Sequence, residues 1–123
     1  PKRKGLARLV HALGYSLDGL RSGWHEPAFR QELLLSFALL PAAFWLGQSW
    51  LETVVLMAVV IAVLVVELLN TGIEAAIDRF GAEWHVQSKR AKDVASAAVL
   101  ISLLFAGGVW FSALWRWWTA HMV

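Results

Sequence analysis

Three apolar runs, roughly residues 33–51, 50–70 and 94–115, are each about as long as the 20 helical residues needed to cross a bilayer's hydrocarbon core. Together they take up about half of the 123-residue chain. Hydrocarbon offers no water to backbone N–H and C=O groups, so a chain built this way must fold into helices that satisfy those groups internally. Composition agrees: 59% of the residues are hydrophobic and 16% charged, more apolar surface than one soluble core of this size can hide. There is no cysteine, which removes disulfides, thiolate metal ligands and a cysteine nucleophile. The basic first ten residues are not followed by an apolar signal core with a cleavage site, so no secretory signal peptide is expected. No nucleic-acid partner is expected either, nor is a second domain: residues 1–123 read as one unit.

Charge placement orients the spans. Ten of the eleven Lys and Arg residues precede the first span (Lys2, Arg3, Lys4, Arg8, Arg21, Arg30) or lie between the second and third (Arg79, Lys89, Arg90, Lys92); Arg116 is the exception. The positive-inside rule then puts the N-terminus in the cytoplasm and the C-terminus outside, with Trp45, Trp50, Trp110, Trp115, Trp117 and Trp118 near the outer interface. Pro41 interrupts the first span and reads as a tolerated kink. Before the spans, Leu6, Leu9, Val10, Leu13, Leu17, Leu20 and Trp24 recur at steps of three and four across about residues 6–24. That spacing predicts an amphipathic helix lying in the interface.

The second span carries the chemistry. Glu67, Asn70, Glu74 and Asp78 fall in a band roughly 80° wide at 100° per residue, so three carboxylates and an amide leave one helix face. An ionised group in hydrocarbon costs about 2.5–3.5 kcal/mol even on lenient insertion scales, so such a glutamate implies a proton, a cation or a substrate as its partner. Further on, His85, Lys89, Lys92 and Ser96 share one face if that stretch is helical, which sets an anion site beside the carboxylates. Glu74, with another acid such as Glu26, suits the magnesium of a nucleotide complex, and Lys92 suits its phosphates. Glu67 would take the proton from a lipid hydroxyl attacking the terminal phosphate. The competing readings are headgroup anchoring for Lys89, Arg90 and Lys92, and local pairing for Asp78 and Arg79. No glycine-rich phosphate loop or protein-kinase signature is present.

The run from Glu67 to Arg79, ELLNTGIEAAIDR, closely resembles the E-x-x-N-[ST]-x-I-E-x-x-x-D signature of the small integral-membrane diacylglycerol kinases of bacteria, a group that includes undecaprenol kinases. Ala28-Phe29-Arg30-Gln31-Glu32, Ala91-Lys92-Asp93 and Gly14-Tyr15-Ser16 resemble further elements of that family, in the expected order. The resemblance implies an all-α homotrimer of three-span subunits in the bacterial inner membrane, each with an N-terminal surface helix, and active sites shared between neighbours. It implies ATP with Mg2+ as phosphoryl donor and a membrane lipid alcohol, diacylglycerol, as acceptor. Residue by residue, it makes Glu67 the proton acceptor, places Asn70 in the reacting centre, and makes Glu26 and Glu74 the metal carboxylates. Arg8, Tyr15, Glu83, Trp84, His85, Lys92 and Asp93 fall on nucleotide-contact positions, together with Glu26 and Glu74. Arg8, Arg21, Trp24, Phe29, Arg30, Gln31, Glu32, Glu67 and Ser96 border the lipid. Trp24-His25-Glu26-Pro27 is about one residue shorter than the family arrangement, with Glu32 as the reserve ligand, and Trp84 stands where a tyrosine is usual. The alternatives are a polyprenol kinase and, from another class, a small proton-coupled transporter.

Overall fold

The computed structural model describes residues 4–81 and 83–122; Lys2 and Arg3 of the basic N-terminal group lie outside it. Four helices follow in order: α1 (Leu6–Trp24), α2 (Pro27–Leu46), α3 (Trp50–Asp78) and α4 (Val86–Met122). The last three are long and apolar enough to cross a membrane. At 1.5 Å per residue, the 37 residues of α4 reach about 55 Å, well beyond a hydrocarbon core of about 30 Å, so its ends must lie in polar surroundings.

Local sequence explains each boundary. Pro27 opens α2 at the first helical position, where its missing N–H has no intrahelical partner to lose, and Glu26 is the N-cap residue with extended backbone. The short Trp24–Pro27 stretch is therefore a one-step passage from α1 to α2, held by His25 and Glu26 N–H donating to the Ser22 and Gly23 carbonyls. Pro41 lies inside α2 without ending it. The helix stops at Leu46, and Trp50 and Leu51 open α3, which divides the apolar run read as 33–51. Ser49 caps α3: its Oγ accepts from the Glu52 N–H at 3.1 Å, the first half of a capping box. Its partner Glu52 turns instead to Arg116. At the other end, α3 runs on through the whole polar stripe to Asp78, and Gly81 leaves the helix at φ 98°, where a side chain would be strained.

The core is a seam between α2, α3 and α4 built from Ala43, Leu46, Leu56, Val59, Val60, Trp110 and Ala113. Trp110 buries its ring there and donates from Nε1 to the Leu56 carbonyl at 3.0 Å, satisfying its polar edge. Arg116 binds the Leu46 carbonyl at 3.3 Å and the Glu52 carboxylate, so the basic residue set apart by charge placement ties the ends of all three long helices. Around this seam much of the surface is apolar, including Leu35, Phe44, Ile61, Leu100, Leu104 and Phe111, as lipid-facing helices require.

Gly47, at the α2–α3 turn, has an ordinary φ of −68°, so space rather than conformation explains it. A Cβ there would overlap Thr53 Oγ1 and lie 2.9 Å from both the Ala43 carbonyl oxygen and Thr53 Cα. Gly23 is tight as well, but its nearest contact, at 2.7 Å, is Leu68 Cδ2, the far end of a flexible side chain. Gly47→Ala should destabilise the fold by about 1–3 kcal/mol and Gly23→Ala by less. Thermal unfolding in detergent checks the order; a Gly47→Ala protein as stable as wild type would contradict the packing of this turn.

Candidate functional site

The stripe read along α3 is present, but packing sends its members to different partners. Glu67 is 5% exposed, with Leu64 and Leu68 beside it on α3. Its carboxyl faces that of Glu32 on α2 closely enough for the two to hydrogen-bond. Glu32 Oε2 is buried and accepts no hydrogen bond from an N–H or hydroxyl donor. Two carboxyl groups in contact cannot both be ionised at low cost, so this pair is suited to holding and passing a proton. From Glu32 an apolar groove of about 270 Å3 runs along α2, α3 and α4 past Leu39, Val63, Leu103 and Trp110. One turn beyond Glu67, the Asn70 side-chain N–H donates to Glu74 Oε1 at 2.9 Å, which fixes that carboxylate; the Asn70 carbonyl oxygen is buried and unpartnered.

Further toward the end of α3, Asp78 crosses to α4 and accepts from Lys92 Nζ at 2.5 Å. Lys89 Nζ donates to Asp93 at 2.6 Å. Both pairs line a polar cavity of about 350 Å3, together with Ile77, Gly81, Glu83, Trp84, His85 and Ser88. The cavity exists because Gly81 turns the chain back on itself and α4 restarts at Val86. His85 starts that helix: its Nδ1 accepts from the Gln87 N–H at 3.1 Å, which leaves Nε2 carrying the proton and free to donate. Asp93, Glu83 and Trp84 are exposed there, while Lys92 is half-buried.

Of the residues assigned to nucleotide, Glu83, Trp84, His85, Lys92 and Asp93 meet in this cavity, whereas Arg8, Tyr15, Glu26 and Glu74 do not line it. Among the lipid-facing set, the Arg30 guanidinium donates to the Trp24 carbonyl at 3.2 Å and stands 6.0 Å over the Trp24 ring. Phe29 is 1% exposed and packs beneath Gly23, so its ring braces the α1–α2 joint from below. Arg21, Gln31 and Ser96 are exposed. Among the described residues no group of three or more His, Asp or Glu side chains converges as a metal cage. Magnesium does not require one, since it takes one or two carboxylates and completes its shell with substrate phosphates and water. Lys89, placed by spacing on one anion-binding face with His85 and Lys92, does line the cavity, while Ser96 does not; Asp78 and Ser88 are cavity residues outside the assigned nucleotide contacts and reach it only through the turn at Gly81.

Comparison with known proteins covers both the carboxylate stripe and the cavity. A profile described as prokaryotic diacylglycerol kinase matches residues 14–114, from the middle of α1 into the C-terminal third of α4. The chain is 45% identical over 112 residues to the diacylglycerol kinase of Escherichia coli strain K12, which covers 90% of this chain and 92% of that relative. It is 45% identical to the diacylglycerol kinase of Helicobacter pylori strain 26695, covering 89% of this chain and 87% of the relative. It is 44% identical to that of Pseudomonas aeruginosa strain PAO1, covering 89% and 90%. With three spanning helices, the carboxylate stripe of α3 and this likeness along nearly its full length, the chain is a multi-pass membrane protein that belongs to the prokaryotic diacylglycerol kinase family.

Proposed function

We propose that this chain is an ATP-dependent diacylglycerol kinase, transferring the γ-phosphoryl group to the hydroxyl of diacylglycerol to give phosphatidic acid. The observation that carries the reading is the position of Glu67: a buried carboxyl beside Glu32, which itself lines an apolar groove, on the same helix that closes a lysine-lined polar cavity with α4. A lipid alcohol reaches Glu67 from the groove with its acyl chains still in hydrocarbon. A nucleotide reaches the same helix from the cavity.

In this reading the Glu67 carboxylate takes the proton of the lipid hydroxyl as that oxygen attacks the γ-phosphorus, the bond to the β-phosphate oxygen breaks, and ADP departs. Glu32 shares the proton and borders the glycerol. Asn70 orients Glu74 and the reacting groups, and Lys92 leaves Asp78 to neutralise phosphate charge. Trp84 stacks on the base, His85 donates from Nε2, and Asp93 accepts from the nucleoside. Glu26 and Glu74 would hold Mg2+, which supplies charge neutralisation of the β- and γ-phosphates when bound. Arg21, Trp24, Arg30, Gln31 and Ser96 border the headgroup.

The unit of function in this reading is a homotrimer with shared sites. The buried, unpartnered carbonyl of Asn70 and the absence of Arg8, Tyr15, Glu26 and Glu74 from the cavity lining favour completion by a neighbouring subunit. The first helix lies along the membrane surface with Leu6, Leu9, Leu13 and Leu17 toward lipid, all exposed on the single chain. The cavity and N-terminus face the cytoplasm and the C-terminus faces the periplasm of a bacterial inner membrane, following the charge asymmetry.

The test is direct. Purified protein in mixed micelles, with labelled ATP and magnesium, is offered diacylglycerol and undecaprenol in parallel. Labelled phosphatidic acid is expected as the dominant product; preference for undecaprenol would move the chain to the polyprenol branch, and no labelled lipid from either would refute the kinase reading. Glu67→Gln keeps the shape but cannot accept the proton, so turnover should fall by roughly 10² to 10⁴ while magnesium nucleotide still binds. Near-normal turnover in Glu67→Gln would remove its role as general base.

A further inference from the structure

The polar cavity between the end of α3 and the start of α4 holds two ammonium groups, those of Lys89 and Lys92, three residues apart on one face of α4. At that spacing their Cβ atoms lie about 5–6 Å apart, close enough for both heads to serve one polyphosphate chain. Each is closed on a carboxylate: Lys92 on Asp78 at 2.5 Å and Lys89 on Asp93 at 2.6 Å.

The Lys89–Asp93 pair has little structural reason to exist. Its side chains are 60% and 61% exposed, so solvent screens it. It runs with the lysine N-terminal to the acid, the weaker order for an i, i+4 pair. Lys89 also stands in the opening turns of α4, near the positive end of the helix dipole, where an acid would be favoured and the first turn contains none. A cation placed against its helix, held by a loose pair and lining a cavity with Trp84, His85 and Lys92, is explained by an anion that enters the cavity.

We propose that Lys89 is a second phosphate-binding cation of the nucleotide site, a role that rests on the kinase reading above and adds to it a residue outside the assigned nucleotide contacts. When a nucleoside triphosphate enters, its phosphate oxygens take over both ammonium groups, Lys92 from Asp78 and Lys89 from Asp93. A polyphosphate carries more charge and more acceptor oxygens than either carboxylate, which makes the exchange favourable. Release by Lys89 also uncovers Asp93, whose oxygens then accept from hydroxyl or amino donors of the nucleoside. The exchange thus couples phosphate capture to nucleoside recognition.

Steady-state kinetics in diacylglycerol micelles separate the possibilities, with magnesium tripolyphosphate as a competitor that has phosphates but no nucleoside. Lys89→Gln should raise KM for MgATP about 3- to 10-fold and weaken tripolyphosphate inhibition by a similar factor, with kcat and the KM for diacylglycerol unchanged. Lys89→Arg should restore both constants. If both constants are unchanged in Lys89→Gln, the residue is only a surface partner of Asp93 and the proposal fails. If KM for MgATP rises while tripolyphosphate inhibits as before, Lys89 acts on the nucleoside through Asp93 and the phosphate assignment is overturned; a fall in kcat at constant KM overturns it as well. Failure of the kinase reading looks different, because the wild-type protein would then form no phosphatidic acid at all.

Discussion

Everything distinctive in this structure follows from placing carboxyl groups on a helix that must also cross hydrocarbon. Most of α3 is Val, Leu, Ile, Met and Ala, and its charged members are gathered at its two ends or buried against a neighbouring helix. Glu52 goes to Arg116, Asp78 to Lys92, and Glu67 to Glu32. The first two pairs join opposite charges. The third joins two carboxyl groups, which can lie together only by holding a proton between them and so hold the helices less cheaply than an apolar contact would. A fold that needed only to hold α2 against α3 would use a methyl or a hydroxyl there, as it does at Ala43, Ser36 and Thr53, all at most 5% exposed.

The two ends of the bundle answer different demands. Around Arg116 the side chains pin helices: one guanidinium serves the Leu46 carbonyl and Glu52, while Trp110 reaches the Leu56 carbonyl from α4. Around Asp78 and Lys92 the polar groups are exposed or half-buried, joined in pairs that solvent or a phosphate can open, and α3 and α4 are separated by a glycine turn. Stability is concentrated away from the chemistry. That distribution leaves the Asp78–Lys92 end free to rearrange its ion pairs without loosening the core.

The sequence made the helices and the stripe legible because both rest on periodicity. Glu67, Asn70, Glu74 and Asp78 repeat at helical spacing, and Leu6 to Trp24 repeats at threes and fours. The limits of the elements were less legible. Local chemistry set them: Ser49 as a cap and Gly47 as a tight contact separate α2 from α3 inside what reads as continuous apolar sequence. Cross-helix partners were not legible at all. That Glu32 meets Glu67, that Lys92 meets Asp78, and that Phe29 is covered rather than open to lipid depend on helix crossing angles, which spacing along one chain does not encode. The signature from Glu67 to Arg79 named the family because it is long and chemically unusual; spacing put Lys89 on one face with His85 and Lys92, but that this face closes a cavity with Asp78 emerges only when α4 folds back beside α3.

The central claim is that Glu67 is kept for its proton chemistry at a cost in stability. Its most direct test is the unfolding free energy in micelles of the double variant Glu32→Leu/Glu67→Leu, in which neither carboxyl is left buried without the other. Two facing buried carboxyls should be replaced by leucines with no loss of stability, or with a gain. An unfolding free energy equal to or above that of wild type is the result this account predicts; a loss of several kcal/mol would show that the carboxyl pair holds the helices together and would contradict it.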